Sequence, residues 1–200
     1  RETHYKTYIR ENVQYVIVDT DENSIRERKK GGYRGFSVSL SGDVSVGKCL
    51  EWDEDARENW FPTDNIFRLK SISEGAGQIR SISRLAFQRA IRVGALEPLH
   101  DAIECLFRQS SSYTNQELKV VLVSTIAGGT GSGVVLPLAM YIKEYVKNNY
   151  SASGVKIDSC LILPEVLEGL KLSRNERNNL YSNGYAALKE ISYFMHKTDN

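Results

Sequence analysis

Apolar positions along the chain follow two periods. Residues 13–18 (VQYVIV), 120–123 (VVLV) and 155–163 (VKIDSCLIL) are strand-length runs rich in β-branched residues. Residues 36–40 (FSVSL) alternate apolar and polar, and residues 44–50 are expected to pair with them as a hairpin across Ser41-Gly42-Asp43. Helical spacing holds elsewhere. Ile79, Ile82, Leu85, Ala86 and Ala90 share one face, and Gly94 breaks that pattern. Residues 96–107 read as the next helix, with Pro98 tolerated in its first turn. Val134, Leu138, Ile142 and Tyr145 line one face of a helix over 134–146, where Pro137 either sits in the first turn or makes a kink. Leu180, Ala187, Leu188, Ile191 and Phe194 are expected to face inward on a last helix capped by Ser173 or Asn175. Strands alternating with helices predict an α/β fold, a Rossmann-like, mainly parallel sheet with helices on both faces.

Between these elements the sequence is polar. Asp21 or Ser24 is positioned to cap a short charged helix over 25–30. Residues 31–70, with an acidic stretch between Trp52 and Trp60, read as a surface excursion from a single domain spanning 1–200. Residues 110–115 form a polar linker, and 148–154 a turn.

Composition narrows the classes. The chain has 200 residues, enough for one sizeable core. Its 26 basic and 25 acidic side chains leave a net charge of +1, so no bulk field favours nucleic acid or anionic lipid. No apolar run approaches the roughly 20 residues of a membrane span. The first residues, Arg1-Glu2-Thr3-His4-Tyr5-Lys6, lack the apolar core of a signal peptide, and the absence of an initial Met leads us to expect that the natural start lies upstream. Cys49, Cys105 and Cys160 are dispersed and odd in number, which fits reduced thiols in the cytoplasm rather than disulfides. The three histidines are equally scattered, and no cluster has metal-ligand spacing.

The chemistry concentrates in residues 120–145. The strand 120–123 runs into Ala127-Gly128-Gly129-Thr130-Gly131-Ser132-Gly133, with four glycines in seven positions, and then into the helix. Strand, glycine loop and helix make an anion site, because glycine lets backbone N–H groups approach a phosphate and the helix start adds unpaired donors. The spacing fits neither G-x-G-x-x-G, since Val134 and Leu136 fall where the last glycine belongs, nor a Walker A loop, since no Lys follows. A dinucleotide-dependent oxidoreductase is therefore disfavoured. A phosphate site here relies on backbone N–H groups and the Thr130 and Ser132 hydroxyls, with a cation held by the acidic turn at 19–24 (DTDENS) as the expected help.

Four loops in order carry a family resemblance. AGGTGSG at 127–133 resembles the GGGTGSG signature of tubulin, shared in variant form by its bacterial homologue FtsZ. VIVDTDENS at 16–24 resembles the second nucleotide loop of that superfamily, EGAGQIRS at 74–81 the third, and LPEVLEG at 163–169 the fifth. YSNGYAALKEI at 181–191 is similar to tubulin's fifth helix. The chain thus resembles the bacterial tubulin-like proteins, a branch distinct from both tubulin and FtsZ, over roughly 13–195 apart from 31–70. Ala127 replaces the first glycine of the signature, and no clear NP follows Gly77.

The resemblance implies site residues. Gly128, Gly129, Thr130, Gly131 and Ser132 would cradle the α- and β-phosphates of GTP or GDP. Gly75, Ala76, Gly77 and Gln78 would meet the γ-phosphate, with Arg80 either beside it or a solvated helix residue. Asp19 and Asp21 would lie near Mg2+, Asp21 having a plain capping role as its rival reading. Glu168, with Glu165 as competitor, would bind the ribose, and Asn183 would face the nucleotide or simply pack. The resemblance also implies a cytoplasmic GTPase that self-associates into protofilaments, with direct partners in neither nucleic acid nor membrane. The family's first strand and first glycine loop are expected before residue 1, and its catalytic loop, which reaches the next subunit's nucleotide, after residue 200. No catalytic residue is expected within the chain. A non-hydrolysing assembly or scaffold protein is the alternative.

Overall fold

The computed structural model describes residues 12–62, 64, 67–109, 117–150 and 154–197. The linker expected at 110–115 lies outside them. Strand β1 (Val16–Asp19), helix α1 (Glu22–Lys30) and strand β2 (Phe36–Ser39) form one parallel unit, registered Val16 to Phe36 and Asp19 to Ser39. Strand β3 (Glu117–Thr125), helix α5 (Gly129–Asn149) and strand β4 (Gly154–Ile162) form a second, registered Glu117 to Gly154 and Thr125 to Ile162. Between them in sequence come α2 (Val46–Trp52), α3 (Arg80–Arg92) and α4 (Glu97–Gln109), and α6 (Arg174–Lys197) follows β4. Parallel strands need crossovers, and the helices supply them. The α/β class and parallel pairing are those the alternation of patterns predicts.

The expected single sheet is divided in two among the described residues. Each strand has one hydrogen-bonded neighbour, β1 with β2 and β3 with β4. A cleft of about 620 Å3 separates β1 from β3, walled by Val16, Val18, Val121 and Val123 and floored by Val134 and Leu138 of α5. The β3–β4 layer has helix α5 on one face. Its other face carries the Lys119–Asp158 ion pair, with Val121 57% and Val123 68% exposed.

The core sits between the layers. Val38, Leu40, Val46, Leu50, Ile82, Leu85, Phe87, Val134, Leu138, Ile142 and Val146 form one buried cluster. The faces predicted for α3 and α5 are the buried ones, since Ile82, Leu85, Ala86 and Ala90, and Val134, Leu138 and Ile142, all pack inside. Gly94 follows α3 with φ +73°, the left-handed turn that ends a helix. Pro137 lies well inside α5 rather than in its first turn. It removes the donor that would reach the Gly133 carbonyl.

Three sequence expectations fail for identifiable reasons. Residues 44–50 form no hairpin, because Ser45 caps the Lys48 N–H and starts α2. Val46, Cys49 and Leu50 then bury at helical spacing, a period the short alternation concealed. The 31–70 segment does not stand off the core, since Leu40, Val46, Ala56 and Phe61 are buried within it. On α6, Leu180 and Ala187 pack inward as expected, but Leu188 and Phe194 are exposed. That helix docks by a single stripe, which leaves Leu188 aside, whereas Phe194 falls on the stripe two heptads from Leu180 but lies in the last turn of the helix. No described helix is long and apolar enough to cross a membrane, and Cys49, Cys105 and Cys160 are free thiols.

Helix α4 is keyed to α5 by an aromatic stack. The His100 ring stacks on that of Tyr145 with centroids 4.1 Å apart and planes nearly parallel, and its Nε2 is 2.8 Å from the Tyr141 hydroxyl. Burial holds the His100 pKa below its ordinary 6.5, against the opposing fields of Asp101 and Glu97. The unfolded chain therefore takes up the proton more readily, and this contribution to stability is present above pH 6.5 and lost as pH falls below it. Urea midpoints should drop between pH 7.5 and 5.5, and His100→Gln should reduce that drop; an identical pH profile in the variant would exclude His100 as its source.

Candidate functional site at the meeting of three loops

Three chain reversals converge at the C-terminal ends of β1 and β3. The first follows β1. Asp21 is the N-cap of α1, its carboxylate accepting the Asn23 N–H at 3.0 Å, the Ser24 N–H at 3.3 Å and the Ser24 hydroxyl at 2.6 Å. The Ser24 hydroxyl bond, aided by the two backbone donors and opposed by burial, holds the Asp21 carboxyl below its ordinary range. The second reversal precedes α3. There Gly75, Gly77 and Gln78 take φ values of +77°, +52° and +62°. The third is the glycine stretch after β3, where the helix begins earlier than expected. Gly128 is the N-cap, and 129–133 form the first turn of α5.

A directed chain of hydrogen bonds ties the three together. The Thr130 hydroxyl donates to Asp19 Oδ1 at 3.2 Å. Its only proton is thus committed, so in the 2.7 Å contact between the two hydroxyls Thr20 is the donor. Thr20 Oγ1 in turn accepts the Ala76 N–H at 3.3 Å. The order runs from Ala76 N–H through Thr20 and Thr130 to the Asp19 carboxylate. Thr20 is 2% exposed. Sequence reasoning passed over it, although its place between two aspartates at a strand end was the available signal.

A second set of contacts comes from α6. Asn183 Nδ2 donates to the Gln78 carbonyl at 2.8 Å and to the Ala127 carbonyl at 3.1 Å. Arg80 donates to Glu190 at 2.6 Å and to the Ser132 carbonyl at 3.2 Å. Its guanidinium is therefore engaged by protein rather than standing as a free phosphate counter-ion. Glu168 lies outside this junction, in an exposed loop after the helical turn Pro164–Leu167, and accepts a hydrogen bond from Tyr181. Glu165 is exposed as well. Ser132 is turned back on its own helix, donating to the Gly128 carbonyl.

The glycines divide by what surrounds them. A Cβ on Gly131 would lie 1.9 Å from the Thr125 carbonyl oxygen, and one on Gly133 2.3 Å from that of Arg80. On Gly129 it would lie 2.9 Å from the Ile79 nitrogen. These three glycines let α5 press against β3, α3 and the 75–79 loop. Gly128 differs: an added Cβ meets nothing within 4 Å, and the residue lines the cleft beside Asp19 and Thr130. The arrangement offers unpaired helix-start N–H groups and one carboxylate at the mouth of an open cleft. Among the described residues no group of three or more His, Cys, Asp or Glu side chains is placed to hold a metal.

Residues 1–200 match a family model described as tubulin like. No curated protein and no solved structure matches the chain.

The division of glycines is testable by stability alone. Gly131→Ala must displace backbone and should cost about 1–3 kcal/mol or more. Gly128→Ala changes only the cap and should cost about 1 kcal/mol or less. Urea unfolding of the two variants checks this, and equal losses would remove the distinction.

Proposed function

The chain belongs to the tubulin-like family, and we propose that it binds a guanine nucleotide with Mg2+ where the three loops meet. In this reading it assembles into cytoplasmic filaments, as bacterial tubulin-like proteins do, and the neighbouring subunit completes GTP hydrolysis. The observation that carries the reading is the start of α5: Gly128 caps it without any side-chain hydrogen bond and faces open space. Free N–H donors and the positive end of a helix of 21 residues favour a phosphate there.

The residues fit the groups this reading requires. Backbone donors at 128–131 would hold the α- and β-phosphates, and the 75–78 loop, whose Ala76 nitrogen is anchored to Thr20, would stand over the terminal phosphate. Asp19 is the better carboxylate for Mg2+, since Asp21 is committed to its cap. One carboxylate suffices where phosphates and water complete the octahedron. When bound, Mg2+ supplies charge neutralisation on the phosphates. This chain's own part in hydrolysis is to orient the nucleotide and offer fixed donors to the developing charge. Glu168 and its Tyr181 partner form a rim that would meet the ribose. Residues 1–200 form one nucleotide-binding domain in this reading. One more parallel strand would fill the cleft between β1 and β3 and join the two sheets, because both strands end at the same rim.

The decisive measurement is the mass of nucleotide released from purified full-length protein, followed by GTP turnover across protein concentrations. Guanine nucleotide, with turnover per chain rising steeply with concentration, is the expected result. Retained GTP with no turnover at any concentration would move the reading to a non-hydrolysing assembly protein, and failure to bind any nucleotide would overturn it. Asp19→Ala should lose most of the Mg2+-dependent part of GTP affinity, whereas Asp21→Ser, which keeps a cap, should retain it. Equal losses in both variants would remove the assignment to Asp19.

A further inference from the structure

We infer that Asn183 is a positioning residue: from α6 it sets the spacing of the two glycine-rich loops, and phosphate affinity depends on it although it touches no phosphate. The inference rests on the nucleotide reading above. Asn183 is 7% exposed, and both hydrogens of its amide nitrogen are spent, one on Gln78 and one on Ala127. These carbonyls belong to different loops, one before α3 and one before α5. The Gln78 carbonyl needs such a partner, because Gln78 holds φ +62°, a region that side-chain-bearing residues rarely occupy. The segment's backbone bonds, Gly75 N–H to the Ile72 carbonyl at 3.3 Å and Ile79 N–H to the Ala76 carbonyl at 2.9 Å, do not engage the Gln78 carbonyl.

The neighbours of Asn183 are arranged to the same end. Gly184 follows, and a Cβ there would lie 2.6 Å from Pro164 Cγ, so α6 is seated closely at this point. Glu190, two turns on along the same face, grips Arg80 just after the 75–79 loop, and Arg80 reaches the Ser132 carbonyl inside α5. One face of α6 therefore splints the 75–79 loop and the start of α5 at two points. Thr20 joins the same two loops through Ala76 and Thr130. Removing the Asn183 amide leaves Gln78 free to leave its unusual conformation and carry the loop from the phosphates.

The test compares GTP with guanosine on the full chain. Asn183→Ala should weaken GTP on the order of tenfold, the scale of two lost hydrogen bonds, and leave guanosine affinity unchanged. Amide exchange of segments 74–80 and 126–131 should rise in the variant without nucleotide. Asn183→Ser, which keeps one donor, should fall between wild type and Asn183→Ala, and serves if the alanine variant does not fold. Equal weakening of GTP and guanosine would mean direct contact with the nucleoside and overturn the inference, as would unchanged GTP affinity. If wild type binds neither ligand, the nucleotide reading fails, and unaltered exchange in the variant would then sink the splint as well.

Discussion

A single hydrogen-bonded sequence, from the Ala76 N–H through Thr20 and Thr130 to the Asp19 carboxylate, decides how the two halves of this molecule meet. The halves share no strand pairing among the described residues. They meet in packing of α3 and α4 against α5, in the bonds from α6 to Gln78 and Arg80, and in this polar junction. Each hydroxyl in it accepts from one side and donates to the other, so each bond polarises the next, and no proton is left over. The carboxylate at its end fixes the direction. Neutralising Asp19 would remove the terminal acceptor and free both threonines to rotate.

Glycine density is a poor guide to glycine work in such a site. Gly128, Gly129, Gly131 and Gly133 form one motif, yet only Gly128 faces open space. Close approach of α5 to the Thr125 and Arg80 carbonyls consumes two of the others. The benefit still reaches the site, because a helix start seated deep against its own strand and against α3 holds its first N–H groups at fixed positions. Packing glycines fix the helix start in place, and the cap glycine leaves room in front of it.

Much of this was legible in the chain because the signals are local. The strand–glycine–helix order at 120–145, the cap at Asp21 and the apolar faces of α3 and α5 follow from neighbouring residues. So does the start of α6, where Ser173 and Glu176 exchange hydrogen bonds in a capping box. What stayed hidden depends on partners far along the sequence. Thr20 meets Thr130 across 110 positions, and Arg80 meets Glu190 across the same separation. Residues 44–50 satisfied both periods over too short a window, and Ser45 decided for the helix. Leu188 fits a helix that is apolar on more than one side, and spacing alone does not say which side docks, nor that the docked stripe stops short of Phe194.

The cleft and the splint bear on one another. Loops at the mouth of a parallel sheet are normally fixed by the strands they leave, and here the sheet is open between β1 and β3. The 75–79 loop follows a short helical turn rather than a strand and meets the end of β1 through the Ala76–Thr20 bond. Side chains take over the task that strand pairing performs elsewhere, with Thr20 binding from below and α6 from the side. That explains why an asparagine, which reaches two carbonyls with one nitrogen, stands where a helix passes both loops. It also explains why the next residue is glycine, since any Cβ would push α6 off Pro164 and carry Asn183 out of reach. The relative placement of the two loops thus rests as much on the helix after β4 as on the glycine motif.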